Sequence, residues 1–389
     1  MTERQQLLAL AGLLYVGECV RWVRRGSVVL AAAPDRRAWR RSPLLHNERG
    51  DAYVGWPLPP FGEFLVVRGT PFSAGEPGVV TATTSSLHAN GHPSQAARLW
   101  TWESLAKARS SGDRVVVGTD RVWRGDTPFE AAQVAAWLVR MAGLPASERR
   151  AALERHVADS FDAAAVRTRL DEWKSALQPL RLAQSTLFAW LFAVLPAAVW
   201  WWGWFPTLGW AVPPVFLGSV WIARRFARLA REWHPEEKDE RARLALLLAL
   251  SPLTALRASD IAGRSRLAWF HPAAVAAVFL DVAAAEAFAA GLFRDLNCPR
   301  QPLPTADPAM MAILEAERTR VLATMTAWAR KQGWNPDAWT HPPSPTDPGH
   351  VKFCPRCHGQ FTAQATECGE CGGVRLGGMG SPGSGGGAR

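Results

Sequence analysis

The strongest constraint on this chain lies near its C-terminus: Cys354-Pro355-Arg356-Cys357 and Cys368-Gly369-Glu370-Cys371, separated by ten residues. Two Cys-x-x-Cys steps at this separation bring four thiolates to the corners of a tetrahedron, the geometry of a closed structural zinc site. Gly359 and Gly372 follow the second Cys of each step within two residues, so the backbone is free to turn its amides toward sulfur. The spacing predicts a zinc ribbon over residues 351–376, with one structural Zn2+ per chain held by Cys354, Cys357, Cys368 and Cys371. A disulfide pair or a redox Cys-x-x-Cys is the alternative. Four protein ligands leave no open position on the metal, so the motif predicts a module and no chemistry.

The formal net charge of +10 suits either nucleic acid or an anionic membrane surface, and the positions of the cations decide between them. Arg21, Arg24 and Arg25 follow one apolar run; Arg224, Arg225, Arg228 and Arg231 follow another. That placement is the positive-inside pattern of a membrane protein. Near the ribbon only Lys352, Arg356 and Arg375 are basic, and no aromatic cluster offers a stacking platform, which speaks against nucleic acid as a partner. Reduced zinc thiolates place the ribbon in a reducing compartment, the cytoplasm. Cys19 and Cys298, outside the motif, read as buried free thiols.

Residues 186–205, TLFAWLFAVLPAAVWWWGWF, carry no charge. Twenty residues of helix span about 30 Å, the hydrocarbon thickness of a bilayer. A second run, 208–223, follows a Pro206-Thr207 turn, and its prolines are tolerable in a membrane helix. Trp200, Trp201, Trp202, Trp204 and Trp210 gather at the turn, with Trp190 and Trp221 toward the other ends, as two aromatic belts. The expectation is a transmembrane hairpin over 184–231. Its alternative is a buried hairpin in a soluble core.

Residues 1–25 form an apolar N-terminal membrane segment, either spanning or lying in the interface, with Glu18 and Arg21 spaced to pair on one helical face. Two later runs are ambiguous. Leu244–Leu256 is too short to cross, and Leu267–Phe293 holds His271, Asp281 and Glu286, costly in lipid and therefore of functional interest if buried there. Both read as parts of a helical, cytoplasmic or interfacial region over 232–340, a second membrane hairpin being the alternative.

Residues 26–143 read as a β-rich cytoplasmic domain closed by a helix. Short β-branched runs (27–30, 64–67, 79–83, 114–117, 121–123) alternate with Gly and Pro clusters, and Gly118-Thr119-Asp120 marks a hairpin. Thr127-Pro128 is a helix start, a capping hydroxyl followed by Pro at the first helical position, and Gly143 a stop. Strands closed by one amphipathic helix over residues 75–143 resemble the pleckstrin-homology-like modules that stand beside bacterial membrane helices. A helical connector follows over 144–183, with Leu153, Val157, Phe161, Val166, Leu170, Trp173 and Leu177 on one side; its His156, Asp159 and Asp162 read as a solvated face. A Pro-rich linker, 341–350, leads to the ribbon, and a Gly-rich tail, 377–389, is expected to be disordered.

The N-terminal apolar segment, Trp56-Pro57-Leu58-Pro59-Pro60, the central hairpin and the terminal CPRC…CxxCGG ribbon together resemble bacterial inner-membrane proteins of no known activity. The resemblance implies architecture and carries no catalytic residues; no GxxxxGK[ST], HExxH or GxSxG motif is present. The expected fold is an α+β multi-domain membrane protein with a β-rich N-terminal cytoplasmic domain, a helical transmembrane hairpin, a helical C-terminal region and a zinc ribbon. The expected role is a multi-pass inner-membrane binding or scaffold protein, in contact with the lipid bilayer and a protein partner, its soluble parts cytoplasmic. A transport or enzyme component with polar residues in a second hairpin is the alternative.

Overall fold

A computed structural model describes residues 3–23, 27–31, 38–39, 45–47, 50–54, 64–69, 72–81, 98–264, 266–298 and 307–379. The Trp56–Pro60 element and the tail beyond 379 lie outside the described residues. The fold is mixed α+β and divides into two units, each assembled from three chain segments: 1–70, 103–143 and 162–280 in the first, 71–102, 144–161 and 281–389 in the second. The division runs across the domain boundaries expected from composition. The pleckstrin-homology-like stretch is itself shared, since residues 75–102 belong to the second unit and 103–143 to the first.

In the first unit, Arg114–Val117 and Asp120–Arg124 pair antiparallel, with Arg109–Ser111 as the outer strand of the three. Val117 is already opposite Asp120, so the loop is two residues, Gly118 and Thr119, shorter by one than the sequence pattern suggests. The helix Pro128–Ala142 packs on this sheet. Thr127 caps it, accepting from the Glu130 amide at 3.1 Å, and Phe129, Val134, Leu138 and Met141 are buried at helical spacing. A second sheet sets Val28–Ala31 between Ala38–Trp39 and Phe64–Val67; a third sets Gly50–Val54 between Val20–Val23 and Leu45–Asn47. The N-terminal helix is Glu3–Cys19, 17 residues, and the chain turns to strand at Val20. Glu18 pairs at long range with Arg257 at 3.2 Å, and Arg21 lies in the strand, so the two are not on one helix as expected.

Among the described residues two helices are long and apolar enough to cross a membrane: Ala163–Trp202, 40 residues, and Trp204–Trp233, 30 residues. A core helix would be mostly covered by protein, yet only 33% and 28% of their apolar windows are buried. The connection is at Gly203 and not at Pro206-Thr207. Gly203 has φ 79° and ψ 176°, a conformation essentially confined to glycine. Pro206 lies in the first turn of the second helix, where an amide has no intrahelical partner and its loss is free. A single π-turn, Trp190–Val194, immediately precedes Leu195-Pro196 and accommodates the missing proline donor. Trp190 is not at the far end of the hairpin. Its indole donates to the Ala211 carbonyl at 3.1 Å, inside the turn that leads to Pro213-Pro214.

The run 267–293 is not one helix. Pro272–Phe279 is capped by His271 and Val282–Asn297 by Asp281, so two of the three polar groups that made this run suspicious are helix N-caps. The third, Glu286, accepts from the Trp339 indole at 3.3 Å. Residues 244–256 are likewise interrupted, Lys238–Leu250 being separated from Pro252–Ala255 by Ser251. Neither run contains a helix of membrane length.

The expected connector is broken too. Helix Ala146–Ser160 ends at Phe161, and Asp162 restarts the chain as the cap of the long helix, accepting from the Ala164 and Ala165 amides. The seven apolar residues of its predicted stripe are all buried, but Leu153, Val157 and Phe161 belong to the second unit and the other four to the first.

In the second unit, Gly78–Thr81 is flanked by Ser73–Ala74 and Arg98–Thr101. Val80 packs with Met310, Ile313 and Leu314 of the helix Pro308–Lys331. The ribbon completes this unit. Gly377–Gly378, expected to begin a disordered tail, pairs with Lys352–Phe353 as the third strand of the ribbon sheet.

Candidate metal centre

The ribbon is two small β elements that each present one Cys-x-x-Cys turn. Lys352–Phe353 lies between Gln360–Phe361 and Gly377–Gly378, while Glu367–Cys368 pairs with Val374–Arg375. The turn after Cys357 closes through two backbone bonds, Cys354 N–H to the Gly359 carbonyl at 2.9 Å and His358 N–H to the Cys354 carbonyl at 2.8 Å. The left-handed residue here is His358, φ 60°, and not the glycine that follows it. In the second turn Gly372 and Gly373 are both left-handed, at 70° and 81°, as the sequence leads one to expect.

These turns bring the Sγ atoms of Cys354, Cys357, Cys368 and Cys371 within 4.8 Å of one another. Around a tetrahedral ion with metal–sulfur bonds of about 2.3 Å, the sulfurs stand about 3.8 Å apart. Cys357 Sγ and Cys368 Sγ are 3.8 Å apart. The four cysteines expected as ligands are gathered as a set that could hold a metal ion. Cys354 and Cys368 are fully buried, the other two half-buried. Among the described residues no other group of three or more His, Cys, Asp or Glu side chains comes together in this way. His156, Asp159 and Asp162 do not.

The electrostatics of the cluster are asymmetric. Burial pushes the Cys354 thiol up to about 11 and raises Cys371 as well. At Cys357 burial acts in the same sense, but the Gly359 amide and the neighbouring thiols outweigh it and bring the group below its ordinary value. Gly359 N–H donates to Cys357 Sγ at 3.4 Å. A bound dication would favour the thiolate form of the buried Cys354 and Cys371, whose burial disfavours the charge. His358, beside Cys357, is half-buried, its ring is edge-on to Phe353, and burial together with Arg294 lowers it to about 4. It stays neutral at physiological pH.

Arg356, between the first two cysteines, donates from Nε to Asp295 Oδ1 at 2.6 Å, and Asp295 stands in the helix Val282–Asn297. Gln360 holds Ser344 and Thr346 of the preceding segment, donating to the Ser344 carbonyl at 2.8 Å and accepting from the Thr346 amide at 2.8 Å. The ribbon is therefore fastened to its own unit and not isolated by a Pro-rich spacer. Lys352 Nζ donates to the carbonyls of Ala363 and Ala365, so two of the three basic residues of the ribbon are engaged internally. Arg356 and Asp295 had no signature in the sequence beyond their charge. They are 61 positions apart, and only the fold brings them together.

Comparison with protein-family models, with curated proteins and with solved structures finds no match for this chain.

Proposed function

We propose that this chain is a multi-pass inner-membrane protein that engages a protein partner at the cytoplasmic face through a zinc ribbon. The observation that carries this reading is the four-thiol cluster on a ribbon fastened by Arg356 to Asp295, in a chain that also has two membrane-length helices. Four soft sulfur donors in near-tetrahedral spacing suit Zn2+, and a filled coordination sphere makes the metal structural. A ribbon held against a helix offers a stiff surface, and stiffness lowers the entropic cost of binding a partner. Gln364 and Glu370 are exposed on it.

The hairpin anchors the protein. Trp201, Trp202 and Phe205 at its tip are 74%, 60% and 92% exposed, a cluster that suits the far headgroup layer better than water. The arginines after Ala223 then keep the remainder on the cytoplasmic side. The N-terminal helix joins this anchor: Tyr15 packs on Phe188 and Phe192, and Leu8 and Leu13 are exposed beside it. The transport or enzyme alternative has no second pair of membrane-length helices to rest on among the described residues.

The test is site-specific photocrosslinking in native membranes from Gln364 and Glu370. One protein should be captured from both positions, and its capture should be lost when Cys354→Ser/Cys368→Ser removes the metal. Crosslinks that are absent, or unchanged without the metal, contradict the proposal.

A further inference from the structure

Four hydrogen bonds within the first unit fix the level at which the hairpin leaves its uncharged stretch. Gln184, two residues before that stretch begins, donates to the Ala255 carbonyl at 3.0 Å. Arg257, two residues beyond Ala255, pairs with Glu18 and donates to the carbonyls of Gly17 and Val20. A guanidinium is stabilised at this negative end of the N-terminal helix. Gln184, residues 255–257 and the end of helix Glu3–Cys19 therefore share one level.

Helix Lys238–Leu250 reaches the same level from the other direction. The chain reverses at 234–237, where Arg241 donates to the His234 and Pro235 carbonyls, and the helix packs back along Trp204–Trp233. The thirteen residues from 238 to 250, twelve helical steps, return the chain by about 18 Å, to the height of Trp221. There Leu246, Leu247 and Leu250 are 60%, 49% and 66% exposed, although Leu248 between them is completely buried. Leu182, two residues before Gln184, is 69% exposed. Arg224 and Arg228 are exposed one and two turns below Trp221, and neither is paired with a carboxylate among the described residues.

On that register Leu247 protrudes at the level of Arg224 and Arg228 lies about one turn further out, an arrangement that matches the boundary between the acyl and anionic headgroup layers of a leaflet. We propose that the leucine end of helix Lys238–Leu250, with Leu182, inserts into the headgroup region of the cytoplasmic leaflet, where Arg224 and Arg228 bind the phosphates of anionic phospholipids. The occupant follows from charge complementarity and from continuity with the membrane surface that the hairpin would cross. The inference rests on the reading of the hairpin as membrane-spanning.

The experiment uses the full chain in phosphatidylcholine vesicles with and without phosphatidylglycerol. A coumarin-bearing amino acid is placed in turn at Leu247, at Phe216 in the hairpin and at the exposed Asp239. Lipids with nitroxides at shallow or deep acyl positions serve as quenchers. The Leu247 probe should be quenched several-fold more by the shallow label than the Asp239 probe, and the Phe216 probe by the deep label. Arg224→Gln/Arg228→Gln should abolish enrichment of phosphatidylglycerol among lipids co-purified with the protein, without changing quenching at Phe216. A Leu247 probe no more quenched than Asp239, with Phe216 quenched, overturns the proposal and leaves the hairpin standing. Loss of quenching at Phe216 removes both. A Leu247 probe in native membranes that is shielded from lipid-borne and water-soluble quenchers alike would mean that a protein covers the leucines, and would also overturn it.

Discussion

Arg356 of the first cysteine turn and Asp295 of the helix Val282–Asn297 form an ion pair at 2.6 Å, with side chains 22% and 7% exposed. The bond couples the metal site to the helical part of its unit. Asp295→Ala leaves a half-buried guanidinium without its carboxylate, a cost of about 1–3 kcal/mol, between the values for exposed and buried pairs. Hydrogen exchange over 352–378 should accelerate and zinc release to a chelator should quicken. Unchanged exchange would mean that the ribbon is held by other contacts.

The first unit carries two buried groups with opposite pH dependence. Burial, reinforced by Asp126, raises Glu130 to about 7 despite the opposing Arg68. Its contribution to stability is therefore full below about pH 4.5 and lost as pH rises toward 7. His234, stacked on Phe129 with ring centroids 4.3 Å apart, is lowered to about 4 by burial and by Arg266 and Arg241. Its contribution is full above about pH 6.5 and lost as pH falls toward 4. The two act in opposite senses in the native protein. Unfolding of Glu130→Gln should show stability falling on acidification, and His234→Gln should show it falling on the alkaline side, each by up to about 3 kcal/mol. Parallel profiles for the two variants would contradict this assignment.

Asp281 caps its helix by accepting from the Ala284 amide at 2.9 Å. Asp281→Ala should cost about 1 kcal/mol, the usual loss of an N-cap, and Asp281→Ser should recover most of it. A gain in stability on removing the carboxylate would mean that Asp281 is buried in lipid.

The hairpin has its turn at Gly203, which makes its exposed tip the informative place for labelling. Thr207 is completely buried, whereas Phe205 is 92% exposed. A cysteine at Phe205 should react with an impermeant maleimide from the periplasmic side, and one at Arg231 only after the membrane is opened. Reversed labelling would invert the topology.

The features legible in the sequence are those that depend on near neighbours. Thr127-Pro128 specified its helix start because a cap needs only the amides of the next turn, and the four cysteines specified their site because each pair is held within one turn. The uncharged stretches at 186–205 and 208–223 marked the hairpin, but its turn could not be located. Pro206 reads as a breaker, yet in the first turn of a helix it costs nothing, while the positive φ of Gly203 is invisible in a list of residues. Long-range partners were equally hidden. Glu18 seemed matched to Arg21 three residues away, and nothing near it in sequence announced Arg257, which binds it. The stripe through Leu153 and Leu177 read as one helix because both halves keep the same period; Asp162, which divides them, is as ordinary on a helix surface as at a cap.

The proposed partner-binding ribbon requires a metal at Cys354, Cys357, Cys368 and Cys371. Elemental analysis of the full chain, extracted from membranes under reducing conditions, tests it directly. The predicted result is about one zinc per chain, lost in Cys354→Ser/Cys368→Ser. No zinc in the native protein, or the same zinc content in the double variant, would contradict it.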